Sequence, residues 1–296
     1  MERTTLTAIN NTVLADNQHT LARLATYQEQ LSSGKRINRI SDDPVQARTA
    51  MRYRAESVQT DKYLDNIAKG ESTMTAADSS FSEMGKLLNE AKQLAVQGAN
   101  GTQDAASRKA LATSVDSLLS RVVDLANTEQ DGRYIFSGTA TLTRPFTRSA
   151  DGTQVLYQGN LDTFNVQVGP STSVSVNQDG HTLFQGEVDV FKTLGDLRDA
   201  LNTNDGTTAA TLIAGIDTAA ARVNDLHGAM GGREKRLELA RNQLESLQSG
   251  LGELISKAED VDYTKTISDF QMAESALQAG LQAQAKVIKP TLLDYL

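Results

Sequence analysis

The side chains in this sequence that could do chemistry are few and scattered. Asp42-Asp43 is an adjacent carboxylate pair of the kind used for acid–base work, and His19, His181 and His227 could in principle shuttle protons or hold a metal. The histidines lie in three different elements, without an acidic or histidine partner at metal-ligand spacing on the same face, so they read as surface or packing residues. Cysteine is absent, which excludes disulfides, thiolate nucleophiles and Cys-ligated metal. No G-x-S-x-G, P-loop or G-x-G-x-x-G occurs. The sequence implies no cofactor and no metal. Asp151, Asp162, Asp179, Glu187 and Asp189 cluster in the middle of the chain without spacing logic, leaving only a weak alternative of a cell-wall-active or proteolytic enzyme carried there.

Asp43 has a plainer role. Asp43-Pro44-Val45-Gln46 is a helix start, with Asp43 accepting first-turn amides, Pro44 pre-set at N1 and Gln46 placed to reach back as in a capping box. Gly34, three residues past Leu31, suits a left-handed helix stop. Residues 31–47, LSSGKRINRISDDPVQA, are therefore a joint between two helices. Lys35, Arg36 and Arg39 in that joint are either solvated or in contact with an acidic neighbour.

The elements around the joint are helical. Leu6, Ile9, Val13, Leu21, Leu24 and Leu31 form a thin stripe over residues 1–33, too meagre to fold alone. A second helix runs from Pro44 to about Gln97, with Ile67, Met74, Phe81, Leu88 and Ala95 in one seven-residue series and Ala77, Met84 and Ala91 in another. A third carries Leu111, Val115, Leu118, Val122 and Leu125 and is predicted to end near Asp131-Gly132. From Ile216 to Val261 apolar residues alternate by threes and fours, with Arg233 the only charged member. That spacing predicts a coiled-coil helix about 70 Å long. Gly231-Gly232 within it reads as a bend or a close helix approach, with a loop as the alternative. A last helix spans about Tyr263 to Ile288, with Ile267, Phe270, Leu277, Leu281 and Ile288 on one side and the small residues Ala273, Ala276, Gly280 and Ala283 among them.

Between Arg133 and Val190 the period shifts towards two, at Phe164, Val166, Val168, Val174 and Val176. Asp151-Gly152 and Asp179-Gly180 read as hairpin turns. The expected fold is mainly α with a β-rich insert: a long antiparallel coiled-coil rod with paired terminal helices and a small β domain. The expected domains are 1–33 with 262–296, 34–132 with 191–261, and 133–190.

The balance of 29 Lys+Arg against 37 Asp+Glu, net −8, argues against nucleic acid as a partner. No stretch is apolar enough for a membrane span, and the first residues lack the features of a cleaved signal peptide.

QEQLSSGKRINRISDDP strongly resembles the N-terminal motif of the bacterial flagellin superfamily. AEDVDYTKTISDFQMAESALQAGLQAQAKVI resembles its C-terminal partner. Within the superfamily, GRYIFSGTATLTRPF, SDDPVQAR and the ending LLDYL are similar to the subunits at the junction of hook and filament. The resemblance implies a non-enzymatic structural subunit of the flagellum at that junction, adapting the hook to the filament. A short flagellin forming the filament itself is the alternative, and a type III tip or translocator protein a more distant one. It implies terminal helices that are disordered in the free chain and fold on assembly through Leu6, Ile9, Val13, Leu24, Leu31, Ile267, Phe270, Leu277, Leu281 and Ile288. It implies self-association in a ring, contact with a neighbouring hook-associated protein and with flagellin, and an export chaperone of the FlgN type. Location would be extracellular, reached through flagellar type III export. Gln271, Ser275, Gln278 and Gln282 form an uncharged polar stripe expected to face the central channel of such an assembly.

Overall fold

The computed structural model describes residues 2–149 and 154–287; side chains are described from Ala8, except that of Ile9, to Ala285. Seven helices and six short strands follow in order: α1 (Glu2–Ser33), α2 (Pro44–Ala99), α3 (Ala105–Ala126), β1 (Glu129–Gln130), β2 (Arg133–Tyr134), β3 (Phe146–Arg148), β4 (Val155–Tyr157), β5 (Asn165–Gln167), β6 (Ser173–Ser175), α4 (Gly180–Phe184), α5 (Val190–Asn202), α6 (Gly206–Glu259) and α7 (Tyr263–Val287). The fold is mainly α with a β-rich insert. The chain divides into two compact units, residues 1–59 with 247–296, and residues 60–246. The division falls inside α2 and α6, whereas the sequence reading set its boundaries at the helix breaks.

In the larger unit, α2, α3, α5 and α6 share one core. Both heptad series of α2 are buried from Ile67 to Ala95, against Val115, Leu118 and Val122 of α3, Leu194, Leu197 and Leu201 of α5, and Ile216, Val223, Met230 and Leu237 of α6. Phe136, Phe146, Phe184 and Phe191 continue this core into the insert, with ring centroids 5.1–5.5 Å apart. The insert's three two-stranded sheets are each a single antiparallel pair and borrow their core from the helices. Two-residue and three-residue strands have too little surface to stand alone.

Several expectations change here. The third helix stops at Ala126, and Asp131-Gly132 instead turns the β1–β2 hairpin, in which Gln130 pairs with Arg133. Both turn residues have positive φ, 52° and 73°, as a two-residue type I′ loop requires. Asp179-Gly180, expected to turn a hairpin, does not. Asp179 caps α4, its carboxylate accepting the Thr182 amide at 2.7 Å. Asp151-Gly152 lies outside the described residues, although the strands around it pair, Arg148 with Val155. Val166, Val168, Val174 and Val176 are buried as the alternation requires, while Phe164 is exposed. Helix α6 runs unbroken through Gly231-Gly232, and a side chain at either glycine would meet nothing within 4 Å, so neither a loop nor a close approach explains them. Arg233 leaves the seam by donating to the Asn177 carbonyl at 3.0 Å, tying α6 to the insert.

Candidate assembly helices and their joint

In the smaller unit the joint is braced from three directions. α1 stops at Gly34, φ +71°, whose amide donates to the Gln30 carbonyl at 2.9 Å; a side chain there would also press on the Tyr263 hydroxyl at 2.8 Å. Beyond it the chain pairs with the end of α6. Arg36 N–H donates to the Glu259 carbonyl at 2.6 Å, Val261 N–H to the Gly34 carbonyl at 3.1 Å, and Lys35 bridges Asp260 in antiparallel fashion. Asp42 Oδ2 then accepts the amides of Asn38 and Arg39 at 3.0 and 2.8 Å, curling the loop. Asp43 Oδ1 accepts the Gln46 amide at 3.0 Å, closing the N-terminus of α2 behind Pro44. That amide bond, with Arg36 beside it, holds the Asp43 carboxyl below its ordinary range. Gln46 does not reciprocate; its side chain is exposed and makes no hydrogen bond to residue 43 among those described.

The three cations of the joint find their acidic partners within the chain. Lys35 lies 3.6 Å from Glu259, Arg36 lies 3.5 Å from Asp43, and Arg39 lies 3.6 Å from Glu29. Arg36 also donates to the Ala258 carbonyl at 2.9 Å. Glu259 is buried and pairs additionally with Arg54. A buried carboxylate needs such compensation, since an unpaired one would neutralise or unfold the site. The loop is cross-braced by charge; it is not an open basic patch. A shallow hollow of about 420 Å³ opens beside it, lined by Ile37, Ile40, Met51, Lys35, Arg39 and Arg54.

From this joint α1 and α7 run together as an antiparallel pair. The ten residues expected to carry assembly separate into three groups. Val13, Leu24, Leu31, Phe270 and Leu277 are half-buried, whereas Ile267 and Leu281 stay 45% and 52% exposed. The side chains of Leu6 and Ile9, and the whole of Ile288, lie outside what is described. Leu14 and Leu21 on α1 are exposed in the same way, as is Met272 on α7. Gln271, Ser275, Gln278 and Gln282 are all exposed. Ala273, one of the small residues picked out in the last helix, is buried, and Gly280 lies against Asn17; the residues missed from the sequence are Asn17 and Thr266, both buried. Both are polar, so a search for apolar periodicity passes over them. In the same unit Met51 and Val58 of α2, and Leu247 and Leu254 of α6, also remain exposed beside buried Ala50, Leu251 and Ala258.

Elsewhere, His227 does have an acidic neighbour, Asp78 of α2, with Nε2 and Oδ1 2.6 Å apart and the imidazole stacked on Phe81. No spacing along the chain could reveal that pairing. Among the described residues no group of three or more His, Asp or Glu is placed to hold a metal ion, and no helix is long and apolar enough to cross a membrane.

The described helices α1 and α7 thus flank a braced joint and leave apolar residues uncovered. Residues 5–141 match the bacterial flagellin N-terminal helical region and residues 213–296 the bacterial flagellin C-terminal helical region. The chain belongs to the bacterial flagellin family. Flagellar hook-associated protein 3 of Escherichia coli (strain K12) is 30% identical over 283 residues, covering 87% of this chain and 88% of that protein. The protein of the same name from Salmonella typhimurium is 28% identical over 277 residues, 85% and 86% of the two chains. Among solved structures, Xanthomonas campestris FlgL superposes with a TM-score of 0.62 at 19% identity, covering 68% of this chain and 98% of that one, a likeness of fold.

Proposed function

We propose that this chain is a structural, non-enzymatic subunit of the bacterial flagellum, seated at the junction of hook and filament. It adapts the hook to the flagellin filament and permits filament growth. Likeness to hook-associated protein 3 along most of both chains carries this reading. The exposed apolar residues of α1 and α7 support it physically: Leu14, Leu21, Ile267 and Leu281 are apolar surface that neighbouring subunits can bury. Residues 1–33 with 262–296 form the assembly domain, and its described helices α1 and α7 gain their stability when subunits meet, since their shared seam is too polar and thin to hold two helices unaided.

Its partners are copies of itself in a ring, a hook-associated protein on one side and flagellin on the other. Before assembly an export chaperone of the FlgN type shields the C-terminal helix, and the chain leaves the cell unfolded through flagellar type III export. Gln271, Ser275, Gln278 and Gln282 line the channel, where neither fixed charge nor apolar surface retards a passing chain. Deleting the gene in its own bacterium tests the reading. Hooks without filaments, with flagellin shed to the medium, are expected; normally swimming cells would overturn it. Seeded purified protein should stay soluble, and growth into long filaments would instead make it a flagellin.

A further inference from the structure

The surfaces that α1 and α7 present to each other are unusual for a helix pair. Seventeen residues separate Asn17 from Gly34, and seventeen separate Tyr263 from Gly280; Gly34 lies against Tyr263 and Gly280 against Asn17. The two helices are thus antiparallel, and counting in steps of seven from the Asn17–Gly280 contact puts Leu24 at about the level of Ala273 and Leu31 at about that of Thr266. At each of these levels a larger residue of α1 faces a small one of α7.

Two of the three levels are nearly interchangeable. Where the Gly34–Val261 backbone bond of the joint opens, a slip of one heptad would bring Leu24 opposite Thr266 at little cost in packing at that level. The Asn17 level is different. Asn17 is 7% exposed, its Nδ2 donates to Gln284 Oε1 at 3.1 Å, and its carboxamide oxygen occupies the space where any side chain at position 280 would begin. After a slip, Asn17 would face the Ala273 methyl with its amide cut off from Gln284. Leaving a buried amide unpaired is costly, whereas making its bond adds little. A single polar residue in a helical seam is known to select register at the expense of strength.

We propose that Asn17, seated on Gly280 and bonded to Gln284, is the residue that holds the register of the terminal helices along the stretch away from the joint. Register decides which exposed residues of α1 stand beside which of α7. The inference rests on the proposed assembly role only in giving that composite face a use.

The chain contains no cysteine, so introduced pairs can be followed without background. Leu24→Cys with Ala273→Cys reports the native level, and Leu24→Cys with Thr266→Cys reports a slip of one heptad. Oxidation of the full chain traps even transient pairing, so the ratio of closure rates reads the register whether or not the helices are persistently ordered. The native pair should close at least about tenfold faster, because bridging needs Cα atoms within about 7 Å. Asn17→Leu should reduce that ratio to within about threefold while speeding closure of both pairs together, the polar residue having been removed from the seam. Asn17→Ala, which lacks the amide but fills no more space, should reduce the ratio too. A role in packing alone would change both rates and leave the ratio standing, and an unmoved ratio in both variants overturns the proposal. Loss of the flagellar reading would show in the deletion strain and would leave these rates untouched.

Discussion

At the scale of single residues, caps and buried charges carry much of the specificity. Asp43, Asp104, Asp189 and Asp205 each accept helix-start amides, at 3.0, 2.8, 2.9 and 3.0 Å. Asp43→Ala should remove the cap and lower the midpoint of thermal or urea unfolding. For Asp43, Asp104 and Asp205 hydrogen bonds to the ionised form hold the carboxyl below its ordinary value, and for Asp116 the guanidinium of Arg148 does so. The sign follows: their stabilisation is complete above the unfolded pKa, near 4, and drains away as pH falls through the lower folded values. A plateau of stability down to about pH 4 and a decline below it is expected in pH-dependent unfolding. At the alkaline end, burial, with Asp179 nearby, pushes the Tyr157 hydroxyl up to about 12. Arg108 is buried and donates to the Gly98 and Asn100 carbonyls and to Asn204 Oδ1, at 2.8, 3.0 and 2.5 Å, closing the end of α2. Arg108→Ala leaves three acceptors without their donor and should destabilise by roughly 2–4 kcal/mol in denaturant melts. The Asp43 cap was legible because its chemistry is local; the role of Arg108 was not, because its acceptors come from two other segments.

At the scale of elements, the heptad pattern of α6 extends without a slip, yet its meaning changes along the helix. Ile216, Val223, Met230 and Leu237 are buried by other helices and the insert, whereas Leu247 and Leu254 are 42% and 40% exposed although they obey the same spacing. Spacing says which residues share a face; the number of neighbours decides whether both stripes of that face are covered. Gly231 and Gly232 stand in open, exposed positions of an unbroken helix. Ala at either position should therefore stabilise by about 1 kcal/mol, measured as a raised melting midpoint, and a loss would indicate a bend or partner contact there. The hairpin at Asp131-Gly132 was misread as a helix end because positive φ at two successive residues serves a turn as well as a stop. Helix α5 went unremarked, although Val190, Leu194, Leu197 and Leu201 carry the same three-four spacing. It lies next to the insert, where the period of two had drawn the reading away from helices.

At the scale of the whole molecule, terminal helices, long central helices and an interrupting β-rich segment could be read from periodicity, since each is a run of one repeat. The division into units could not, because it falls within α2 and α6, where no break marks it. Nor could the whole seam between α1 and α7: Ala273 and Gly280 stand out as small residues of α7, but polar Asn17 and Thr266 give no sign that they are buried with them. That composition is also why the pair is expected to depend on neighbours. Paired opposite charges at Gln278 and Gln282, Gln278→Glu with Gln282→Lys, should shorten filaments while rings still form, measured by electron microscopy of the complemented deletion strain. Filaments of full length would remove the channel role of that face. The central claim, that the ends of the chain gain their order from assembly, is tested most directly by amide hydrogen exchange on the free and the assembled protein. Residues 2–33 and 263–287 should exchange rapidly in the free chain, with the core of residues 60–246 protected, and become protected on assembly. Full protection of both terminal helices in the free chain would contradict it.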